Sequence, residues 1–315
     1  MQKRTLSFVC PAFNERESLP ELITELEALG TLLQVPYEIV IVDDGSTDGT
    51  ANFLAERSLI TPHLYGISLR KNYGKATALY VGFQQARGEV VVTLDADLQN
   101  DPNEVPKLLA ELGNFDIVSG WKFDRPDVFE KTFASRIFNG ITRRVSGLPL
   151  HDFNSGIKAY TREAAQSLVL YGELHRYIPV LANAQGFSIT EVKTHTRERK
   201  YGETKYRSKR YARGFFDLFT VLFLTKYARR PLHFFGSFGT ILSVVGIGIL
   251  LYLTGVKVFA HQAIGSRPLL TFGVLFTLVG IQLFFTGLLA ELLVRTNSPR
   301  LLPIRHEWRR DGPLT

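Results

Sequence analysis

Cysteine is almost absent from this chain: Cys10 is the only one among 315 residues. A lone cysteine excludes an internal disulfide and suits a reducing compartment. The N-terminus, MQKRTLSFVCPAFNE, has no apolar run long enough for a secretion signal, so the folded part of the chain is expected in the cytosol. Basic charge is scarce over the first two thirds. Residues 1–196 hold 19 Lys and Arg against 24 Asp and Glu, a net of −5, although the whole chain carries +7. A nucleic-acid binder would spread its cations over the folded domain, so that class is excluded. Three familiar catalytic patterns are also missing. His151, His175 and His195 have no zinc-ligand spacing and are expected at a polar surface or beside an acceptor. Ser155 has no Ser-His-Asp arrangement, and Gly74–Lys75 lacks the full phosphate-loop spacing.

Charge is missing altogether from two long stretches. Pro231 to Val256 and Pro268 to Ala290 contain no Asp, Glu, Lys or Arg. About 20 apolar residues cross a hydrocarbon core of roughly 30 Å, so both predict membrane-spanning helices. The missing cations gather just upstream, where residues 197–230 hold 11 basic and 3 acidic groups. A positive collar beside an apolar span fits anionic lipid headgroups. The connection between the spans carries two Lys or Arg, whereas Lys226, Arg229 and Arg230 precede the first and Arg295, Arg300, Arg305, Arg309 and Arg310 follow the second. The positive-inside rule then places the N-terminal part and the C-terminal tail in the cytosol, in a two-pass membrane protein. The expected organisation is a domain over 1–206, basic interfacial helices over 207–230, the spans with an outward-facing loop over 231–294, and a basic tail over 295–315. The glycine-rich GSFGTILSVVGIG permits close helix packing and so a homo-oligomer.

What is present before residue 200 is alternation. LSFVCPA, YEIVIVDDG, LYGISLR, GEVVVTLDAD and FDIVSG are short β-rich runs, with helical patterns such as Leu19, Leu22, Ile23, Leu26 and Leu29 between them. This predicts an α/β fold, a mostly parallel sheet covered on both faces, whose ligands bind outside the carboxyl ends of the strands. Those ends carry Asn14 and Glu15, Asp43 and Asp44, and Asp95 and Asp97. Carboxylates gathered on one rim repel unless a cation or hydrogen bonds compensate. A divalent ion shared with a diphosphate resolves the conflict, because Mg²⁺ takes one or two carboxylates plus phosphate oxygens. Asp95 and Asp97 are thus the expected metal handle, and Gln99, read as lying on the same alternating face, adds an oxygen ligand.

Five motifs in order, PAFNE, VDDGSTDGT, RKNYGKATAL, DADLQNDP and RKYGETKY, resemble the family-2 glycosyltransferases of GT-A fold. The likeness is to the branch containing dolichyl-phosphate mannose synthase and bacterial polyprenyl-phosphate glycosyltransferases, and it extends to the paired C-terminal spans. The resemblance implies inverting transfer of one sugar from a nucleotide-diphosphate sugar to a polyprenyl phosphate, with Mg²⁺ or Mn²⁺. It puts Pro11, Phe13, Glu15, Val42 and Asp44 around the base and ribose, and Asp95, Ala96, Asp97 and Gln99 at the metal and diphosphate. Lys122 stands where the family often has Arg, and Arg199 and Lys205 flank a loop closing over the donor phosphates. A Lys neutralises phosphate but lacks the bidentate fork. Asp152 falls where the family places its catalytic carboxylate. A phosphate monoester is mostly deprotonated at neutral pH, so Asp152 is expected chiefly to orient a sugar hydroxyl or a basic acceptor-binding residue, acting as base only toward the monoanion. The rival readings are a processive polysaccharide synthase and a non-catalytic membrane scaffold on the same fold. The first needs a translocation channel that two spans do little to build, and the second has no use for Asp95, Asp97 and Asp152 together.

Overall fold

A computed structural model describes residues 5–123, 139–140, 142–144, 146–197, 231–261, 263–265, 267–295 and 304–308. The chain divides into two units. One comprises residues 1–221 with 301–315, and the other residues 222–300.

The first unit is built on β1 (Leu6–Ala12), α1 (Leu19–Leu33), β2 (Tyr37–Asp43), α2 (Thr50–Ile60), β3 (Leu64–Leu69), α3 (Lys75–Gln85), β4 (Val90–Thr93), α4 (Val105–Glu111), β5 (Ile117–Lys122), β6 (Lys158–Thr161), α5 (Arg162–Ser167), α6 (Ile178–Ala184) and β7 (Ile189–Thr194). The strands form one sheet in the order β7-β5-β6-β4-β1-β2-β3, with a further strand, β8 (Ile304–Trp308), at the edge beside β3. Strands β4, β1, β2 and β3 are parallel and almost wholly buried, which is why they read as unbroken apolar runs. Helix α1 covers one face with the predicted stripe: Leu19, Leu22, Ile23, Leu26 and Leu29 join Phe8, Cys10, Ile39 and Ile41 in the core. Cys10 is fully buried there, and burial, with the nearby Asp95 charge, pushes its thiol far above the ordinary range. It is a packing residue.

The mostly parallel sheet was expected, but β6 runs antiparallel between β4 and β5, and the sequence reading had no strand there. Ile304–Trp308, inside the segment read as a basic tail, forms β8 and pairs antiparallel with β3. Its backbone covers what would otherwise be an open sheet edge.

In the second unit, α7 (Pro231–Phe259) and α8 (Pro268–Arg295) are long and apolar enough to cross a bilayer. They expose large apolar side chains such as Phe238, Ile241, Leu251 and Leu278, a surface that suits hydrocarbon. Glycines hold the pair together. A Cβ at Gly239 would stand 2.5 Å from the Gly280 carbonyl oxygen, and one at Gly246 2.5 Å from the Thr277 nitrogen. The close packing that the glycine-rich stretch permits is therefore used between the two helices of one chain. Glu291 accepts a hydrogen bond from the Leu232 nitrogen (3.3 Å), satisfying one of the orphan donors at the start of α7.

Candidate active site

The site lies where the parallel strands end. Just past β1, Asn14 adopts a left-handed conformation (φ 54°) and exchanges hydrogen bonds with the loop after β2. Its backbone nitrogen donates to Ser46 Oγ (2.8 Å), and its side-chain oxygen accepts from the Thr47 nitrogen (2.8 Å). Asp48 accepts from the Arg16 nitrogen (3.0 Å), and the Glu15 nitrogen donates to Thr50 Oγ1 (3.2 Å). PAFNE and DDGSTDGT are thus two loops laced together. Pro11, Phe13 and Glu15 stay half-buried on that rim.

Two residues expected around the nucleotide are placed differently. Val42 is fully buried and faces α3, where Gly82 makes room for it, so its side chain presents nothing to a ligand. Asp44 is also buried, and its two oxygens accept from the Tyr73 nitrogen (2.7 Å) and the Gly74 nitrogen (2.8 Å). Burial raises its pKa to about 6, with the neighbouring Asp43 adding to the effect and the two hydrogen bonds opposing it. Asp44 shapes the Arg70–Gly74 loop. Gly74, at φ 94°, holds a conformation that disfavours any side chain. Asp43 is engaged by the Ser46 nitrogen (3.0 Å) and Ser68 Oγ (2.8 Å).

Hydrogen-bond donors of neighbouring loops engage both acids at the end of β2, while Asp43 still opposes ionisation of Asp44. Among the described residues no three His, Cys, Asp or Glu side chains gather as a metal cluster.

Asp95 and Asp97 follow β4, which ends at Thr93. The strand does not continue through Gln99 as its alternation implied, and Leu98, further on, is left-handed (φ 61°). Burial still alternates, with Leu94, Ala96 and Leu98 inside and Asp95, Asp97 and Gln99 partly exposed. The turn is tightened by the Gln99 nitrogen donating to Asp97 Oδ1 (3.2 Å).

Asp95 already has a cationic partner. Lys75, at the start of α3, places Nζ 2.5 Å from Asp95 Oδ1. Burial disfavours ionisation of Asp95, but Lys75, Lys122 and Lys158 outweigh it and hold the carboxyl at about 2. Its other oxygen lies against Gly156, where a Cβ would overlap it. Lys158 itself is buried on β6 and donates to the Ser155 carbonyl. Burial lowers its pKa to about 7, with Asp152 pulling the other way and Lys75 adding to the fall. Behind Asp95 a cavity of about 10 Å³ is lined by Lys75, Thr93, Lys158, Tyr160 and His175 among others, which is room for about one water. His175, expected at a polar surface or beside an acceptor, lines this cavity. Its Nδ1 is buried without a hydrogen-bond partner, and burial together with Lys75 and Arg176 drives its pKa well below the ordinary histidine value.

Asp152 lies partly exposed in the loop before β6, with Oδ1 accepting from the Asn154 nitrogen (3.0 Å). Arg199 and Lys205 lie outside the described residues. Just before them, Arg197 donates to both oxygens of Glu25 (2.6 and 2.9 Å) and to Asp101 (2.7 Å). Its backbone nitrogen bonds to the Gln99 carbonyl (3.0 Å). Arg197 thereby ties the Asp97–Asp101 turn to α1.

Sequence reasoning gave Lys158 and Arg197 no role and weighed Lys75 only as a phosphate-loop lysine. Lys75 stands inside a motif already singled out, RKNYGKATAL, and Lys158 lies six residues after Asp152, so a signal for both was present. Arg197 carried no local signal, since its partners are 172 and 96 residues away.

Residues 7–169 match the profile described as Glycosyl transferase family 2. A dodecaprenyl-phosphate galacturonate synthase from Rhizobium johnstonii is 35% identical over 305 residues, covering 94% of this chain and 89% of the relative. The chain belongs to glycosyl transferase family 2. An undecaprenyl-phosphate 4-deoxy-4-formamido-L-arabinose transferase from an Enterobacter strain is also 35% identical, over 92% of this chain and 88% of its own length. Among solved structures, a Mycobacterium tuberculosis glucosyl-3-phosphoglycerate synthase in complex with Mn²⁺ and UDP-glucose superposes with a TM-score of 0.53 at 23% identity, over 70% of this chain and 79% of that one. That likeness carries the GT-A fold of the family-2 enzymes. The protein is therefore a glycosyltransferase with a mixed, mostly parallel sheet and two apolar C-terminal helices.

A divalent ion fits the donor set of this glycosyltransferase. Asp95, Asp97 and Gln99 offer oxygen atoms only, which suits hard Mg²⁺ or Mn²⁺. With no third acid beside them among the described residues, the remaining ligands would come from a diphosphate and water.

Proposed function

We propose that this enzyme transfers a single sugar, with inversion at the anomeric carbon, from a nucleotide-diphosphate sugar to a polyprenyl phosphate at the membrane surface. The observation that carries the reading is the meeting of Asp95 with Lys75 and Lys158 at the strand ends, with Asp97 two residues on, in a chain that also holds two bilayer-length helices. The names of the relatives support the polyprenyl-phosphate acceptor. A UDP donor is favoured over GDP by the two-span tail, which resembles the bacterial members of the family.

Chemically, the lipid phosphate oxygen attacks the anomeric carbon while the bond to the β-phosphate breaks. The site must hold the departing charge and exclude water, and positioning supplies most of the rate. Pro11, Phe13 and Glu15 form the rim for base and ribose, while Val42 and Asp44 support that rim from below. Asp95 keeps Lys75 oriented, Lys75 and Lys122 face the diphosphate, and the buried Lys158 adds to the field that holds Asp95 ionised. Arg199 and Lys205 are assigned to the same phosphates through their motif alone. Asp97, Asp95 and Gln99 would hold Mg²⁺ or Mn²⁺, which when bound neutralises the leaving diphosphate. Asp152 favours the charged form of Lys158, in keeping with an orienting role. Both termini of the membrane unit are placed on the cytosolic face of a bacterial inner membrane. A tail strand that pairs with β3 of the N-terminal sheet supports that topology.

Incubating the purified enzyme with a panel of UDP- and GDP-sugars, undecaprenyl phosphate and Mg²⁺ or Mn²⁺ tests the proposal. The expected product is monoglycosylated lipid phosphate. Long polymer would identify a processive synthase, and no turnover with any donor would leave the scaffold reading.

A further inference from the structure

One cluster on the catalytic unit has no part in the donor site. At the ends of β5 and β7 the register pairs Trp121 with Lys193, so these two share a face of the sheet with Phe123 and Glu191. Lys122, between Trp121 and Phe123, belongs to the opposite face and acts on Asp95. His151 lies flat on Trp121, with ring centroids 4.1 Å apart and 13° between planes. Glu191 locks it there: its carboxylate accepts from the His151 backbone nitrogen (2.7 Å) and pairs with His151 Nδ1. That leaves Nε2 as the ring nitrogen available to a ligand. Lys193 Nζ sits over Phe123 (4.3 Å) and Trp121 (5.4 Å), and the side chain is exposed. Phe123 is 55% exposed.

We propose that this shelf binds the reactive end of the lipid acceptor, a phosphate monoester carrying an isoprenoid chain. The inference rests on the polyprenyl-phosphate reading above and deepens it. His151 Nε2 and Lys193 Nζ supply hydrogen bonds and charge for the phosphate. The Trp121 and Phe123 rings supply apolar surface for the first isoprene units. A nucleotide sugar has a diphosphate and no hydrocarbon, and its phosphates are assigned to Lys75 and Lys122. The shelf's combination of one exposed cation, a tethered imidazole and two aromatic rings complements a headgroup that is anionic at one end and apolar at the other. His151 precedes Asp152 in the chain, and Glu191 also accepts from the Asp152 nitrogen (3.4 Å). Ordering the shelf therefore also orders the loop that carries Asp152.

The chain has two tryptophans, so Trp308→Phe leaves Trp121 as the sole indole reporter. Farnesyl phosphate titrated into this donor-free variant in detergent should change Trp121 emission saturably. Inorganic phosphate and farnesol should each bind at least about tenfold more weakly, since each supplies half of the match. In turnover assays, Lys193→Ala and His151→Ala should raise the acceptor KM about tenfold and leave the donor KM unchanged, with Lys193→Arg restoring most of the loss. The shelf is overturned if Trp121 is silent to farnesyl phosphate, if inorganic phosphate or farnesol binds as well, if a UDP-sugar displaces the ligand, or if the acceptor KM is unmoved in both variants. Absence of sugar transfer to any polyprenyl phosphate by the wild-type enzyme would instead remove the parent reading. Transfer that proceeds with an unchanged acceptor KM removes the shelf alone.

Discussion

The two halves of the sheet use polar side chains in opposite ways. On the β1–β2–β3 side, Asn14, Asp43, Asp44 and Asp48 are consumed by backbone N–H and hydroxyl donors of neighbouring loops. They build the rim. On the β4–β6–β5 side, Asp95 stands among three lysines, one of them fully buried, and His175 keeps an unpartnered buried nitrogen. Both halves hold an aspartate away from its ordinary ionisation: burial raises Asp44 to about 6, and the lysines hold Asp95 at about 2. In the proposed reading the reacting phosphates belong to the second half, and the first half supplies the rim for base and ribose.

The largest expected effect is on the side assigned to chemistry. Asp97→Asn should lower kcat by about 100-fold or more while leaving thermal stability almost unchanged, because the side chain is partly exposed. Asp95→Asn should lose as much activity and also stability, since it removes the partner of Lys75. Equal unfolding temperatures for the two variants would break the contrast between them. Gly156→Ala comes next. A Cβ there overlaps the Asp95 carboxylate, so an activity loss of about tenfold or more is expected, read from initial rates beside an unfolding scan.

The third prediction uses pH. Lys158 has a folded pKa of about 7 against an ordinary 10.5, so between these values the unfolded chain holds more protons than the folded one. Stability from this group therefore rises with pH through that window. Lys158→Met should flatten the rise, and a parallel pH profile for both proteins would contradict the burial argument. The smallest effect belongs to the architectural staple. Arg197→Ala should cost about 1 kcal/mol of stability, as expected for a partly exposed ion-pair network. It should also raise the donor KM a few-fold by loosening the Asp97–Asp101 turn, with kcat little changed.

Five strands and the stripe of α1 were readable because parallel buried strands are continuous apolar runs and helices repeat every three to four residues. β6 was not, because KAYT is short and starts with a lysine whose burial only the fold explains. β7, ITEVKT, alternates weakly at a half-exposed edge, and β8 depends on a partner strand some 240 residues earlier. The Asp95–Asp97 pair was legible from its place after VVVTL. The local partners of Asp43 and Asp44 were not legible, because strand-end position alone cannot show which backbone nitrogens and hydroxyls a turn will supply.

By itself the sequence determined the α/β alternation, the two bilayer-length helices, the ordered motifs of a family-2 glycosyltransferase and the acidic pair after β4, because all of these are local patterns of hydropathy and charge. Only the tertiary structure decided that Lys75 and Lys158 flank Asp95, that Arg197 staples the turn beyond it, and that Trp121, His151 and Lys193 share one face. Those pairings join residues tens to more than a hundred positions apart, and their strength comes from burial and distance, which no local pattern encodes.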